Sequence, residues 1–106
     1  MSAVDLRRTC PITVVEDINA PGIAPGSIEV LGAGTEYGGY GYACPGCGSL
    51  SFLAIGPENP SPRWLVTAGD VAKPETVSLS PSILHSVERG GCGWHGYLTA
   101  GVLRPC

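Results

Sequence analysis

The chain has 106 residues, of which 16 are Gly and 10 are Pro, enough turn-formers to raise the question of disorder. Only 14% are charged against 43% hydrophobic, which excludes the charge-rich, apolar-poor composition of a disordered segment and leaves one turn-rich domain with a single core. The formal charge is −3, the basic residues are scattered, and no apolar run approaches the roughly 20 residues of a membrane span, so neither tight nucleic-acid binding nor membrane insertion is expected.

The N-terminal MSAVDLRRTC has no apolar stretch behind its positive charges, so no secretory signal is expected. The expected location is the cytosol, or a virion if the chain is phage-encoded. In a reducing compartment cysteines more often bind metal or do chemistry than form disulfides. Ile12–Val15 and Ile28–Leu31 are short aliphatic runs that read as strands. Between them, two Pro-Gly pairs in NAPGIAPGS signal type II turns. GAGTEYGGYGY has no period and reads as a glycine-rich loop entering a strand. Residues 1–39 are thus expected to form an arm or edge strands beside a domain over 40–106.

From residue 40 the punctuation is regular. Tyr40–Ala43 reads as a strand, Cys44-Pro-Gly-Cys47-Gly as a tight turn, and Ser49–Ile55 as a half-buried strand with Leu50, Phe52 and Ala54 on one face. PENPSP is a proline loop. Arg63–Thr67 and Thr76–Ser80 are two further strands, and Pro81–Leu84 is expected to begin one helical turn with Ser80 as its N-cap. Then comes a second turn, Cys92-Gly-Trp-His95-Gly, and strands at Tyr97–Ala100 and Val102–Arg104. No long 3.6-residue apolar period occurs. The expected fold is mainly β, a small single domain of short antiparallel hairpins joined by two zinc-knuckle turns, similar to a zinc ribbon.

Cys44-x-x-Cys47-Gly and Cys92-x-x-His95-Gly share a spacing and a following glycine. Two ligands three apart on a tight turn can face one ion, and two such turns supply the four donors of a tetrahedral Zn²⁺ site. The expected metal ligands are Cys44, Cys47, Cys92 and His95. Gly48 and Gly96 would let the backbone bend after the second ligand, and Trp94 would shield the site from water. Four protein donors fill the tetrahedron, so the site reads as structural and no catalytic residue is assigned. Iron would call for four thiolates, with Cys106 replacing His95.

The remaining candidates are weaker. Cys10 and Cys106 read as reduced thiols, His85 as a surface or helix-end histidine, and Trp64 as a core residue. Ser78, Ser80 and Ser82 read as strand and cap residues, and no GxSxG, HExxH or phosphate-loop motif is present.

The order of these segments, CPGCG, RWLV, TVSLSPSI and GCGWHGYLTAGVLRPC, resembles a small bacterial and phage zinc-binding family, the domain of unknown function sixty-five twenty-seven. The positions carrying the resemblance are Cys44, Cys47, Trp64, Leu79 to Ser82, Cys92, His95 and Cys106, over about residues 40–106. It implies a zinc-binding β module encoded in phages or near ubiquitin-like conjugation genes, and brings no established reaction. The leading expectation is therefore a zinc-stabilised structural or protein-interaction module, a phage virion or accessory protein, whose partner is another protein, a viral assembly or a second copy. The alternatives are a zinc-dependent hydrolase or conjugation-system accessory with Cys92 or His85 acting, and a zinc-ribbon nucleic-acid binder.

Overall fold

The computed structural model describes residues 6–32 and 34–106; the first five residues of the expected N-terminal segment, and Ala33, lie outside the described residues. Among the described residues, ten strands and one short 3₁₀ turn make up the regular structure, in keeping with the mainly β reading. They are β1 (Cys10–Pro11), β2 (Thr13–Val14), β3 (Ser27–Leu31), β4 (Gly39–Ala43), β5 (Leu50–Ala54), β6 (Leu65–Asp70), β7 (Lys73–Ser80), β8 (Ile83–Leu84), β9 (His95–Thr99) and β10 (Val102–Pro105), with the 3₁₀ turn at Val87–Arg89.

Two four-stranded sheets and a hairpin result. One sheet runs β1-β10-β9-β8, the other β2-β3-β4-β5, and β6 pairs with β7. Every pairing is antiparallel except β2 with β3, which are parallel and joined by a long loop. A parallel pair needs such a crossover because the chain must return to its starting edge. Ile18 anchors that loop: its side chain is buried and its N–H donates to Glu29 Oε1 at 2.8 Å. The N-terminal strands link the sheets, since Cys10–Pro11 pair with β10 and Thr13–Val14 with β3. β3 itself lies inside its sheet, between β2 and β4.

The core is where the sheet faces and the hairpin meet. Ile28, Tyr40, Tyr42, Leu53, Val77, Leu79, Ile83, Trp94, Leu98 and Leu103 are buried there. Tyr40 closes the contact to the hairpin turn, its hydroxyl donating to the Val71 carbonyl at 2.6 Å. The hairpin is also tied to the β9–β10 turn, where Ala100 N–H donates to Ser78 Oγ at 2.8 Å.

One point left open by the sequence is settled and one expectation is corrected. The half-buried strand β5 turns inward the face carrying Leu53, fully buried opposite Tyr40, while Leu50 and Phe52 are exposed. Alternation along a strand fixes that faces differ but not which face meets the core; the two tyrosines of β4 decide it by packing on the side of Leu53. The helical turn expected over 81–84 is absent. Ile83 and Leu84 form a strand pairing with Gly96 and His95, because Ile83 gains a buried place in the core that one exposed turn would not offer.

Candidate functional site

The turn after β4 brings the first cysteine pair to the core edge. Cys44 is buried at the end of an entirely buried strand, and Gly48 N–H returns to the Cys44 carbonyl at 2.8 Å, closing the knuckle. Gly48 has φ +81, the left-handed conformation expected of it. Cys92 approaches from the segment before β9. Sγ atoms of Cys44, Cys47 and Cys92 all lie within 4.8 Å of one another, and Cys44 Sγ to Cys92 Sγ is 3.7 Å. Thiolates bound to one tetrahedral zinc at 2.3 Å would be about 3.8 Å apart. The donor set therefore fits a soft, tetrahedral metal ion.

The surroundings fit as well. Gly46 N–H points at Cys44 Sγ at 3.4 Å, the amide-to-sulfur contact that spreads thiolate charge. A side chain at Gly46 would lie 3.0 Å from Cys92 Sγ and 3.1 Å from Trp94 Cβ, so the knuckle packs tightly on Cys92 and Trp94. Trp94 is fully buried there, in the shielding position expected from sequence, with its indole N–H on the Arg8 carbonyl at 3.4 Å. Burial pushes the Cys44 thiol up to about 12 in the metal-free protein. At Cys47 desolvation acts upward too, but hydrogen bonds with Ser49 and then with Cys92 and Cys44 together outweigh it, and the thiol lies below its ordinary value. A metal ion held here would have to displace the Cys44 proton, and the ion's own charge would supply the drive.

His95, the fourth expected ligand, is not in this group. It opens β9, where side chains alternate: Trp94 points into the core and His95 lies exposed beside Leu84, its cross-strand neighbour. Its Nε2 lies 2.7 Å from Ser82 Oγ. Strand pairing makes this contact. Leu84 is opposite His95, so Ser82, two residues earlier on the same face of the same segment, is a diagonal neighbour within reach of a long side chain. Gly96 does not supply a bend either. It is a strand residue in close approach to the Arg104 carbonyl and the Trp94 ring, a gap that a Cβ would fill.

A hydroxyl in hydrogen-bond contact with an imidazole is the first requirement of a serine nucleophile and its base. No Asp or Glu among the described residues is hydrogen-bonded to His95, so the arrangement is a pair and not a triad. The sequence reading missed Ser82. No motif flags it, because the partner histidine is reached through the register of β8 and β9 and not through chain spacing.

The other candidates are placed as follows. His85 is half-buried, with Nε2 2.6 Å from the Tyr42 hydroxyl and the two rings edge to face; burial lowers its pKa. Cys10 Sγ points at the Pro25 carbonyl at 3.5 Å. Cys106 is exposed, and its N–H donates to the His95 carbonyl at 3.0 Å, tying down the chain end beside the histidine. Trp64 is half-buried, its indole N–H 3.3 Å from the Ser82 carbonyl. Among the described residues no helix is long and apolar enough to cross a membrane.

No curated protein and no solved structure matches this chain. Residues 14–106 match a family described as bacterial ubiquitination-like system serine protease (BubE). The match agrees with the expected resemblance in pointing to a small bacterial domain family, but neither its description nor its extent speaks for a phage origin. It runs from β2 to the chain end and takes in the three clustered cysteines together with Ser82 and His95. By that coverage the chain belongs to the bacterial ubiquitination-like system serine protease family.

Proposed function

We infer that this chain is a serine protease acting in a bacterial ubiquitination-like system, with Ser82 as nucleophile and His95 as its general base. The observation that carries this reading is the 2.7 Å contact between Ser82 Oγ and His95 Nε2. The family description, which names a serine protease, supports it independently. In the acylation step Ser82 Oγ attacks the scissile carbonyl while His95 Nε2 takes the hydroxyl proton. The same imidazole then gives that proton to the departing amine, leaving an ester on Ser82. Water, deprotonated by His95, attacks the ester and restores the free hydroxyl.

Cys44, Cys47 and Cys92 would hold a zinc ion. Bound there, zinc would supply a cross-link between the β4–β5 turn and the segment entering β9. The cross-link bears on catalysis because Cys92 lies three residues before His95, with the buried Trp94 between them. A protein partner is expected in the form of the polypeptide substrate.

The test is covalent labelling of the full chain with a fluorophosphonate, which reacts with activated serines. Labelling at Ser82, abolished in a Ser82→Ala protein that keeps its melting temperature, is the expected result. Labelling at another serine, or none in the zinc-loaded protein, would overturn the assignment.

A further inference from the structure

A groove of about 510 Å³ is lined by neighbours of the Ser82–His95 pair, although neither Ser82 nor His95 itself lines it. Leu50 and Phe52 of β5 line one side, and Leu84 of β8 the other, with Trp64 and Arg89 at the rim. Two of these residues connect the groove to the pair through the main chain. Leu84 is the cross-strand neighbour of His95, and the Trp64 indole donates to the Ser82 carbonyl.

Both strands facing the groove are sheet edges. Each therefore carries main-chain groups that no neighbouring strand takes. Cys44 N–H donates to the Ser49 carbonyl, so bonds from β5 to β4 fall at alternate residues 49, 51 and 53. Those of Leu50 and Phe52 therefore point away from β4. The Ala54 carbonyl, which points the same way, is taken by Trp64 N–H at 2.8 Å. On β8, His85 N–H donates to the Trp94 carbonyl at 2.9 Å and its carbonyl accepts from Gly93 N–H at 2.7 Å. By the same alternation the N–H and C=O of Leu84 face outward. An open strand edge two residues from the nucleophile is a template for an extended peptide.

The lining also has a charge. Among the described residues Arg89 is its only Lys or Arg and no Asp or Glu lines it, in a chain of net charge −3.

We propose that this groove binds an extended stretch of the polypeptide substrate as an added strand on β8, paired through the main chain of Leu84, with an apolar side chain on Trp64 and Phe52 and an acidic one toward Arg89. The proposal rests on Ser82–His95 as the reacting pair and adds to it a preference: apolar and acidic residues near the cleaved bond. The exposure of Leu50, Phe52 and Leu84, 49%, 42% and 59%, then has a use, since substrate covers surface that the core leaves open.

The experiment titrates isotope-labelled Ser82→Ala protein with short peptides carrying one Leu and one Glu at varied spacing, and with the same peptides carrying Lys for Glu. Binding should perturb the amides of Leu50, Phe52 and Leu84 and slow exchange at Leu84 by about tenfold at saturation. Glu peptides should bind about two- to fivefold more tightly than Lys peptides, the range of an exposed ion pair, and Arg89→Glu should reverse that order. Perturbation confined to other faces, or a charge preference that Arg89→Glu leaves unchanged, would overturn the proposal. Fluorophosphonate labelling of the unmutated chain separates the two claims. Labelling without groove binding removes the groove alone, whereas groove binding without labelling removes the reacting pair and with it the groove's role as a substrate site.

Discussion

Replacing His95 with Gln separates its two conceivable duties, because the energies involved differ by an order of magnitude. His95 is exposed, and among the described residues its side chain hydrogen-bonds to Ser82 Oγ alone. Losing that bond costs about 0.5–1.5 kcal/mol at most. For a domain of this size each kcal/mol lowers the melting temperature by about 4–8 °C. A zinc ligand stands on another scale: structural zinc sites contribute about 10–16 kcal/mol, against a total stability of about 5–15 kcal/mol for an ordinary domain. Removing a true ligand from so small a protein should release the metal and unfold the chain. His95→Gln is therefore expected to melt within about 10 °C of the unmutated protein, to keep its bound metal, and to lose about 10²–10⁴-fold in serine labelling rate, the usual contribution of a general base. Circular dichroism, metal analysis and the fluorophosphonate rate read the three quantities from one preparation. A metal-free, unfolded His95→Gln protein would refute the reasoning and return the imidazole to the cysteine cluster.

The remaining expectations are separate. Leu53→Ala should destabilise by about 2–5 kcal/mol, as for other buried leucines, while Phe52→Ala should cost about 1 kcal/mol or less; chemical denaturation of the two variants checks which face of β5 is inward. Gly96→Ala places a Cβ against the Arg104 carbonyl and 2.6 Å from Trp94 Cη2, so it should cost about 1–3 kcal/mol by overpacking, seen as a lowered denaturant midpoint. Burial, and then the charges of Asp70 and Glu75, push the Tyr40 hydroxyl up to about 12. The folded protein thus holds this proton more tightly than the unfolded chain, whose tyrosines titrate near 10. Tyr40's contribution is intact below pH 10 and declines as pH rises through 12, so stability measured against pH should fall across that window, and less steeply in Tyr40→Phe. Stripping the metal with a strong chelator should abolish both the native spectrum and Ser82 labelling; a chelated protein that still labels would show that the cysteine cluster does not support the β9 segment.

The β character of the chain and most of its strands were legible from short aliphatic and aromatic runs between Gly and Pro, because turn chemistry and period-2 alternation act within a few residues. Cys44 and Cys47 were legible for the same reason: their spacing is a property of one tight turn. Cys92 was found as the echo of that turn, and the structure brings it to the other two. Spacing could not say where His95 points. Its direction is set by the pairing of β8 with β9, which turns Trp94 inward and leaves the next residue on the outer face beside Ser82. Ser82 itself carries no local sign, since a strand serine and a nucleophile look alike until a base lies within hydrogen-bond reach. The inward face of β5 was likewise decided by Tyr40 and Tyr42 across the sheet. What the sequence determined is what neighbours along the chain enforce; the tertiary structure decided each contact that depends on register, because shifting a strand by one residue exchanges its faces while leaving its composition the same.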